Sequence, residues 1–165
     1  MAVLAAAAPF ALRAEDAIRE GAEVAFLGIH FIDTSTEGAY FGERPDQAAR
    51  IALIEDAVRE RLVAEGLSLA DIAPAAEELA RTRNVAHCNG CEVRIAERLG
   101  ADYALVGEVQ KVSNLILSMN LVLRDAGTGA FVRGQSVDIR SNTDDSWLRG
   151  IRYILDNNIF REDAG

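Results

Sequence analysis

Apolar side chains fall at every second position near the middle of residues 99–140. Leu115, Leu117, Met119, Leu121 and Leu123 alternate with a set that includes Ser118, Asn120 and Arg124. That period belongs to a strand with one face buried and the other mostly wet. Asp125 to Gly129 then supplies two glycines, Gly127 and Gly129, suited to a tight reversal. A third apolar run starts at Tyr103. The stretch therefore predicts a three-stranded antiparallel meander with short connections.

Earlier in the chain the period changes. Residues 24–32 (VAFLGIHFI) are apolar on both parities, as in a strand covered on both faces. A polar loop is expected from Asp33 to about Arg44. Pro45 and Asp46 suit the opening turn of a helix, because Pro lacks an N–H that would go unpaired there and Asp favours the positive end. Ile51, Ile54, Val58 and Leu62 form its apolar stripe, with 55–59 and 60–64 placed on the outer surface. Gly66 ends it. A short strand is expected within 67–73, a helix from Pro74 to about Ala80, and a polar irregular segment over 81–86. A further helix covers 92–99 and closes at Gly100. Thr143 caps a last helix, with Asp144 and Asp145 in its first turn and Trp147, Ile151, Ile154 and Leu155 along one face. The order β-α-β-α-α-β-β-β-α implies an α/β (α+β) fold. Its mixed sheet has early β-α-β crossovers, then the meander and a C-terminal helix.

Composition changes the picture in two ways. The chain has 165 residues, half of them hydrophobic, and a formal net charge of −9. That size suits one domain with a real core, and that charge argues against nucleic acid or an anionic membrane as partner. Residues 2–12 are apolar, uncharged and too short to span a bilayer as a helix. Small residues follow, so residues 1–14 read as a secretory signal peptide, although no Lys or Arg precedes the apolar run. The expected organisation is a leader (1–14), one α/β domain (15–160) and a frayed tail (161–165). The expected location is the periplasm, with no membrane insertion.

The sharpest local chemistry is Cys88-Asn89-Gly90-Cys91, which holds both cysteines. Export favours a structural disulfide between them. The same spacing serves thiol–disulfide exchange, and His87, Cys88 and Cys91 are weak metal candidates, one ligand short of a structural zinc site. Free thiols are the remaining state. Covalent haem attachment fails because Glu92 stands where a His is required. His30, inside an apolar strand, reads as a buried, hydrogen-bonded core residue. Asp33, Thr34, Ser35 and Thr36 lie beyond a strand's carboxyl end, where α/β sheets often bind ligands; they suit a small polar ligand or a cation, or simply form a turn. Asn142, Asp144, Asp145 and Trp147 form either a helix cap with an anchor or part of a recognition surface. No nucleophile–base set, zinc-protease signature or phosphate loop occurs, so neither a reaction nor a cofactor is indicated.

Three segments carry a resemblance. They are VAFLGIHFID, CNGCEVRIAERLGADYALVGEVQKVSNLIL and DIRSNTDDSWLRGIRYILDNNIF. From about Val24 to Phe160 the chain resembles an uncharacterised bacterial periplasmic family, whose members tend to be encoded beside quinoprotein alcohol-oxidation genes and ABC exporter components. Its middle portion is similar to the amino-terminal domain of TolB and to curli-secretion-type lipoproteins. The resemblance implies an α/β fold with a mixed sheet and a non-catalytic accessory role exercised on an envelope protein partner. The alternatives are a thiol–disulfide protein using Cys88 and Cys91, or a small-ligand or metal carrier.

Overall fold

The computed structural model describes residues 18–161. The expected leader, and the tail from residue 162 on, lie outside the described residues.

Five strands form one mixed sheet. They are β1 (Glu23–Asp33), β2 (Ser68–Leu69), β3 (Tyr103–Lys111), β4 (Ile116–Asp125) and β5 (Phe131–Arg140), in the order β2-β1-β3-β4-β5. β1 runs parallel to β2 and β3, while β3, β4 and β5 are the antiparallel meander expected from the alternating leucines. Leu117, Met119, Leu121 and Leu123 are all buried, and Leu115 is not. It sits in the β3–β4 turn, 70% exposed, because the strand starts one residue later.

One face of the sheet packs against two long helices, α2 (Pro45–Ala64) and α5 (Asp144–Ile154). Ile54, Val58 and Leu62 of α2 and Trp147, Ile151 and Ile154 of α5 meet Phe26, Leu105, Met119 and Leu121 in the main core. A single π-helical turn, Leu155–Ile159, continues α5 and buries Leu155 and Ile159. A smaller cluster on the opposite face joins Ala25, Leu27, Ala104 and Val106 to α4 (Cys91–Arg98) through Ile95 and Ala96. Small side chains on these strands let the short helix approach. β1 is therefore covered on both faces, as its unbroken apolar run requires.

Local signals account for the boundaries. Thr143 and Ser146 form a reciprocal capping box at α5. Gly66 and Gly100 take φ of 78° after α2 and α4. In the β4–β5 turn only Gly129 has positive φ; the Asp125 carboxylate shapes the rest by accepting from the N–H groups of Gly127 and Thr128. The helix expected from Pro74 is a 3₁₀ turn followed by α3 (Ala76–Arg81). The segment expected as a plain loop after Asp33 contains α1 (Thr36–Phe41). Ser35 Oγ caps it by accepting from the Gly38 N–H at 3.0 Å. None of its residues is buried, so no apolar stripe announces it.

A β-bulge interrupts β1, where Leu27 and Gly28 stand opposite Val106 alone. Gly28 takes φ of 93°. Glu55, expected on the outer surface of α2, instead turns inward, and its Oε1 accepts from the Ile29 N–H at 2.8 Å. Arg59 holds the other carboxylate oxygen at 3.0 Å and stacks over the Phe26 ring. The helix thus supplies an acceptor to a strand N–H at the bulge.

Candidate functional site

Parallel pairing sets Asp33, at the end of β1, beside Lys111, at the end of β3. Both side chains turn toward the face that carries α2 and α5. Lys111 is fully buried, and its ammonium lies 3.2 Å from Asp33 Oδ2 and 2.8 Å from Glu37 Oε2 on α1. A buried ammonium needs such partners, because removing it from water without them is costly. Burial on its own would raise the Asp33 carboxyl. The hydroxyl and N–H of Ser35, which donate to Oδ1 at 2.5 and 2.9 Å, and the Lys111 ammonium outweigh it and hold Asp33 below the ordinary Asp value. Hydrogen bonds from Lys111 and then Asn114 hold Glu37 below the ordinary Glu value.

These groups open a closed polar ring at one end of the sheet. Glu37 accepts from Asn114 Nδ2 at 2.8 Å and from Arg44 Nη1 at 2.9 Å. Arg44 Nε donates to Asp46 at 3.1 Å, and Arg50 donates to Asp46 at 2.8 Å. Arg50 reaches Asp144 at 2.8 Å and Asn142 Oδ1 at 3.5 Å. Asn142 Nδ2 completes the circuit by donating to Asn114 Oδ1 at 3.3 Å. Arg44, then Arg50, lower the Asp46 carboxyl as well. The ring joins α1, the start of α2, the β3–β4 turn and the β5–α5 connection.

The two polar clusters singled out in the sequence, at 33–36 and at 142–147, are thus brought to the same end of the molecule. Thr34 Oγ1 donates to the Lys111 carbonyl at 3.1 Å. Thr36 opens α1, and Asp145 is exposed in the first turn of α5. Trp147 is not a surface residue. It is 0% exposed, stacks on Phe31 with ring centroids 5.9 Å apart, and donates its indole N–H to Asn142 Oδ1 at 3.0 Å. It anchors Asn142 from beneath. Lys111, Glu37, Asn114 and Arg50 escaped the sequence reading, because a lysine at a strand end and a carboxylate in a polar segment look like solvated residues. The one available signal was the equal position of Asp33 and Lys111 at the ends of neighbouring parallel strands.

Lys111 also takes the place a cation would occupy between Asp33 and Glu37, so the loop after β1 is not arranged as a metal cradle. Around the ring stand exposed apolar side chains. Tyr40 and Phe41 of α1 are 79% and 76% exposed, and Val112, Leu115 and Ile116 of the turn are also exposed. Exposed aromatic and aliphatic groups around a rigid polar centre are the makings of a protein-binding surface.

Cys88 and Cys91 are joined as a disulfide, with Cα atoms 5.4 Å apart. The bridge links the turn Val85–His87 to the first residue of α4. Glu92 Oε2 lies 3.3 Å from Cys88 Sγ, and these two cysteines with Glu92 are the one group with metal-ligand proximity among the described residues. His87 does not join them. Its Nε2 lies 3.0 Å from Glu108 Oε2, to which Asn84 Nδ2 also donates at 2.7 Å. His30 is half-buried, not enclosed in the core, and its imidazole has no hydrogen bond among the described residues; it lines an open groove of about 420 Å³ with Asp33 and Asn84. Beyond the bulge it faces Glu108 across the strands, on the face where helical cover runs out. No helix among the described residues is long and apolar enough to cross a membrane.

No curated protein matches the sequence. Among solved structures, the C-terminal domain of LpoB from Salmonella enterica is similar over 76% of this chain and 87% of that one, at 13% identity and a TM-score of 0.54. That likeness shows a shared fold. Lipoprotein GNA1162 from Neisseria meningitidis aligns over 74% of this chain and 83% of that one, at 17% identity and a TM-score of 0.46. TolB from Acinetobacter baumannii aligns over 83% of this chain and 29% of that one, at 10% identity and a TM-score of 0.42. A family model described as "Protein of unknown function (DUF2380)" matches residues 22–159. The chain belongs to this family, DUF3280.

Proposed function

We infer that this is a periplasmic accessory protein without catalytic activity, which binds an envelope protein partner through the strand-end surface. The observation that carries the reading is the exposure of Tyr40, Phe41 and Leu115 around the Lys111 ring. The paired charges tie α1 to the β3–β4 turn and to the start of α2 beneath these apolar groups, which limits the backbone ordering needed when a partner covers them. The ring has no unpaired nucleophile beside a base, which fits binding better than turnover. An ABC exporter component or a quinoprotein alcohol-oxidation system is the partner class that the sequence resemblance suggests.

The reading is tested by capturing partners from periplasmic extract with the wild-type protein and with a Phe41→Ser, Leu115→Ser double variant. The expected result is one envelope protein enriched by the wild type and lost with the variant. The same set of proteins on both baits contradicts it.

The thiol–disulfide reading is less well supported by the surroundings of the bridge. A thiolate at Cys88 would form beside the Glu92 carboxylate, whereas reactive thiols sit in electropositive settings.

A further inference from the structure

β5 is the outermost strand of the sheet, ten residues long, whereas the opposite edge is the two-residue β2. Its hydrogen-bonding groups alternate. Ser141 N–H donates to the Leu115 carbonyl, which marks residues 135, 137 and 139 as facing β4. Gly134, Ser136, Asp138 and Arg140 therefore aim their N–H and C=O groups outward. No proline blocks this edge, and the irregularity in the β4–β5 ladder lies at its far start, near Phe131.

Beside the edge runs an open groove of about 480 Å³ between β5 and α5. Val137, Ile139, Gly150 and Tyr153 give it an apolar floor and wall. Gly150 sets its depth, since a Cβ there would lie 2.6 Å from Ile139 Cγ2. Charge gives the groove a sign. Arg149 stands on its helical wall, with Arg152 and Tyr153 following on the same helical face, while Asp138 and Arg140 border it through their backbone and send their side chains to the opposite face of the sheet. Arg140, Arg149 and Arg152 have no ion pair among the described residues, while Arg44, Arg50, Arg59, Arg61 and Arg98 all do. On a chain of net charge −9, Arg149 and Arg152, without an ion pair among the described residues, give the helical wall of the groove a local basic strip.

We propose that the β5 edge, with the α5 groove beside it, binds an extended acidic segment of a partner protein as a sixth strand. Backbone hydrogen bonds to Gly134, Ser136, Asp138 and Arg140 supply the pairing, and alternate apolar side chains of the segment enter the groove. Carboxylates of the same parity meet Arg149 and Arg152 on the groove wall. This surface adjoins the strand-end ring at Ser141 but shares none of the ring's residues, and the proposal stands without it.

The test is fluorescence anisotropy with two labelled peptides, one of Val, Thr and Glu with Glu at both strand parities, the other carrying Lys for each Glu. Two variants accompany the wild type. Asp138→Pro deletes an outward N–H yet leaves the β4 ladder intact, and it removes an acid from this edge, so electrostatics alone would strengthen acidic binding. Arg149→Glu reverses the basic wall. Circular dichroism checks that both fold. The expected result is binding of the acidic peptide, at least about tenfold weaker binding of the lysine peptide, and a comparable loss in each folded variant. Equal affinity for the two peptides, or full acidic binding by Asp138→Pro, overturns the proposal. So does a wild-type dimer in sedimentation that Asp138→Pro dissociates, since the occupant would then be a second copy.

Discussion

Lys111 is the residue on which the strand end depends. Its stem lies in the apolar layer and its ammonium joins Asp33 to Glu37, tying β1, β3 and α1 together. Replacing it by Met leaves two carboxylates facing each other without their cation. Lys111→Met should cost about 3–5 kcal/mol, read from urea unfolding. Acid should act on the same network. Asp33, Glu37 and Asp46 are all held below their ordinary values in the folded state, so the stability they contribute is present above the unfolded carboxyl values of about 4 and lost as pH falls through the lower folded ones. Urea midpoints measured downward from pH 5 should fall below about pH 4 in the wild type and change less in Lys111→Met. Leu121, in contrast, was legible from its spacing alone and is fully buried. Leu121→Ala should cost about 2–5 kcal/mol. Periodicity identifies residues that pack. It does not identify a polar residue whose burial depends on partners distant in the chain.

At the scale of elements, the long strands and helices were legible because each carries a repeating apolar pattern or a definite cap. α1 was not, since it buries nothing and rests on a single capping serine. The β1 bulge was equally hidden, because VAFLGIHF is apolar on both sides of Gly28 and its parity change leaves no mark. What secures the bulge is Glu55 from α2, one turn after Ile51 and beside the apolar stripe, a residue that its charge, not its place on the helix, assigns to solvent. Glu55→Ala should strand the Ile29 N–H and cost about 1–3 kcal/mol, whereas Glu55→Gln keeps an acceptor and should cost less; thermal melts distinguish them. The Cys88–Cys91 bridge closes a very short loop, so Cys88→Ser should lower stability by only about 2 kcal/mol under oxidising conditions and leave it unchanged in reductant. An equal effect in both conditions would mean that the bridge is not what the substitution removes.

For the whole molecule, the arrangement is unequal. Helices α2 and α5 shelter one face of the sheet across its width, while α4 covers the other only over β1 and β3. The fold class was readable from the order of patterns. The convergence of 33–36, 111–116 and 142–144 at one end was not, because it follows from strand order and direction. That convergence makes a hydrogen-bonded surface with Tyr40, Phe41 and Leu115 exposed around it.

The most direct test of partner binding is site-specific photo-crosslinking in cells of the native host. A photoreactive side chain is placed at Tyr40, at Leu115 or, as control, at exposed Glu60 on α2. The account predicts that Tyr40 and Leu115 crosslink to one and the same envelope protein and that Glu60 does not. No crosslink from either position, or the same products from all three, would contradict it.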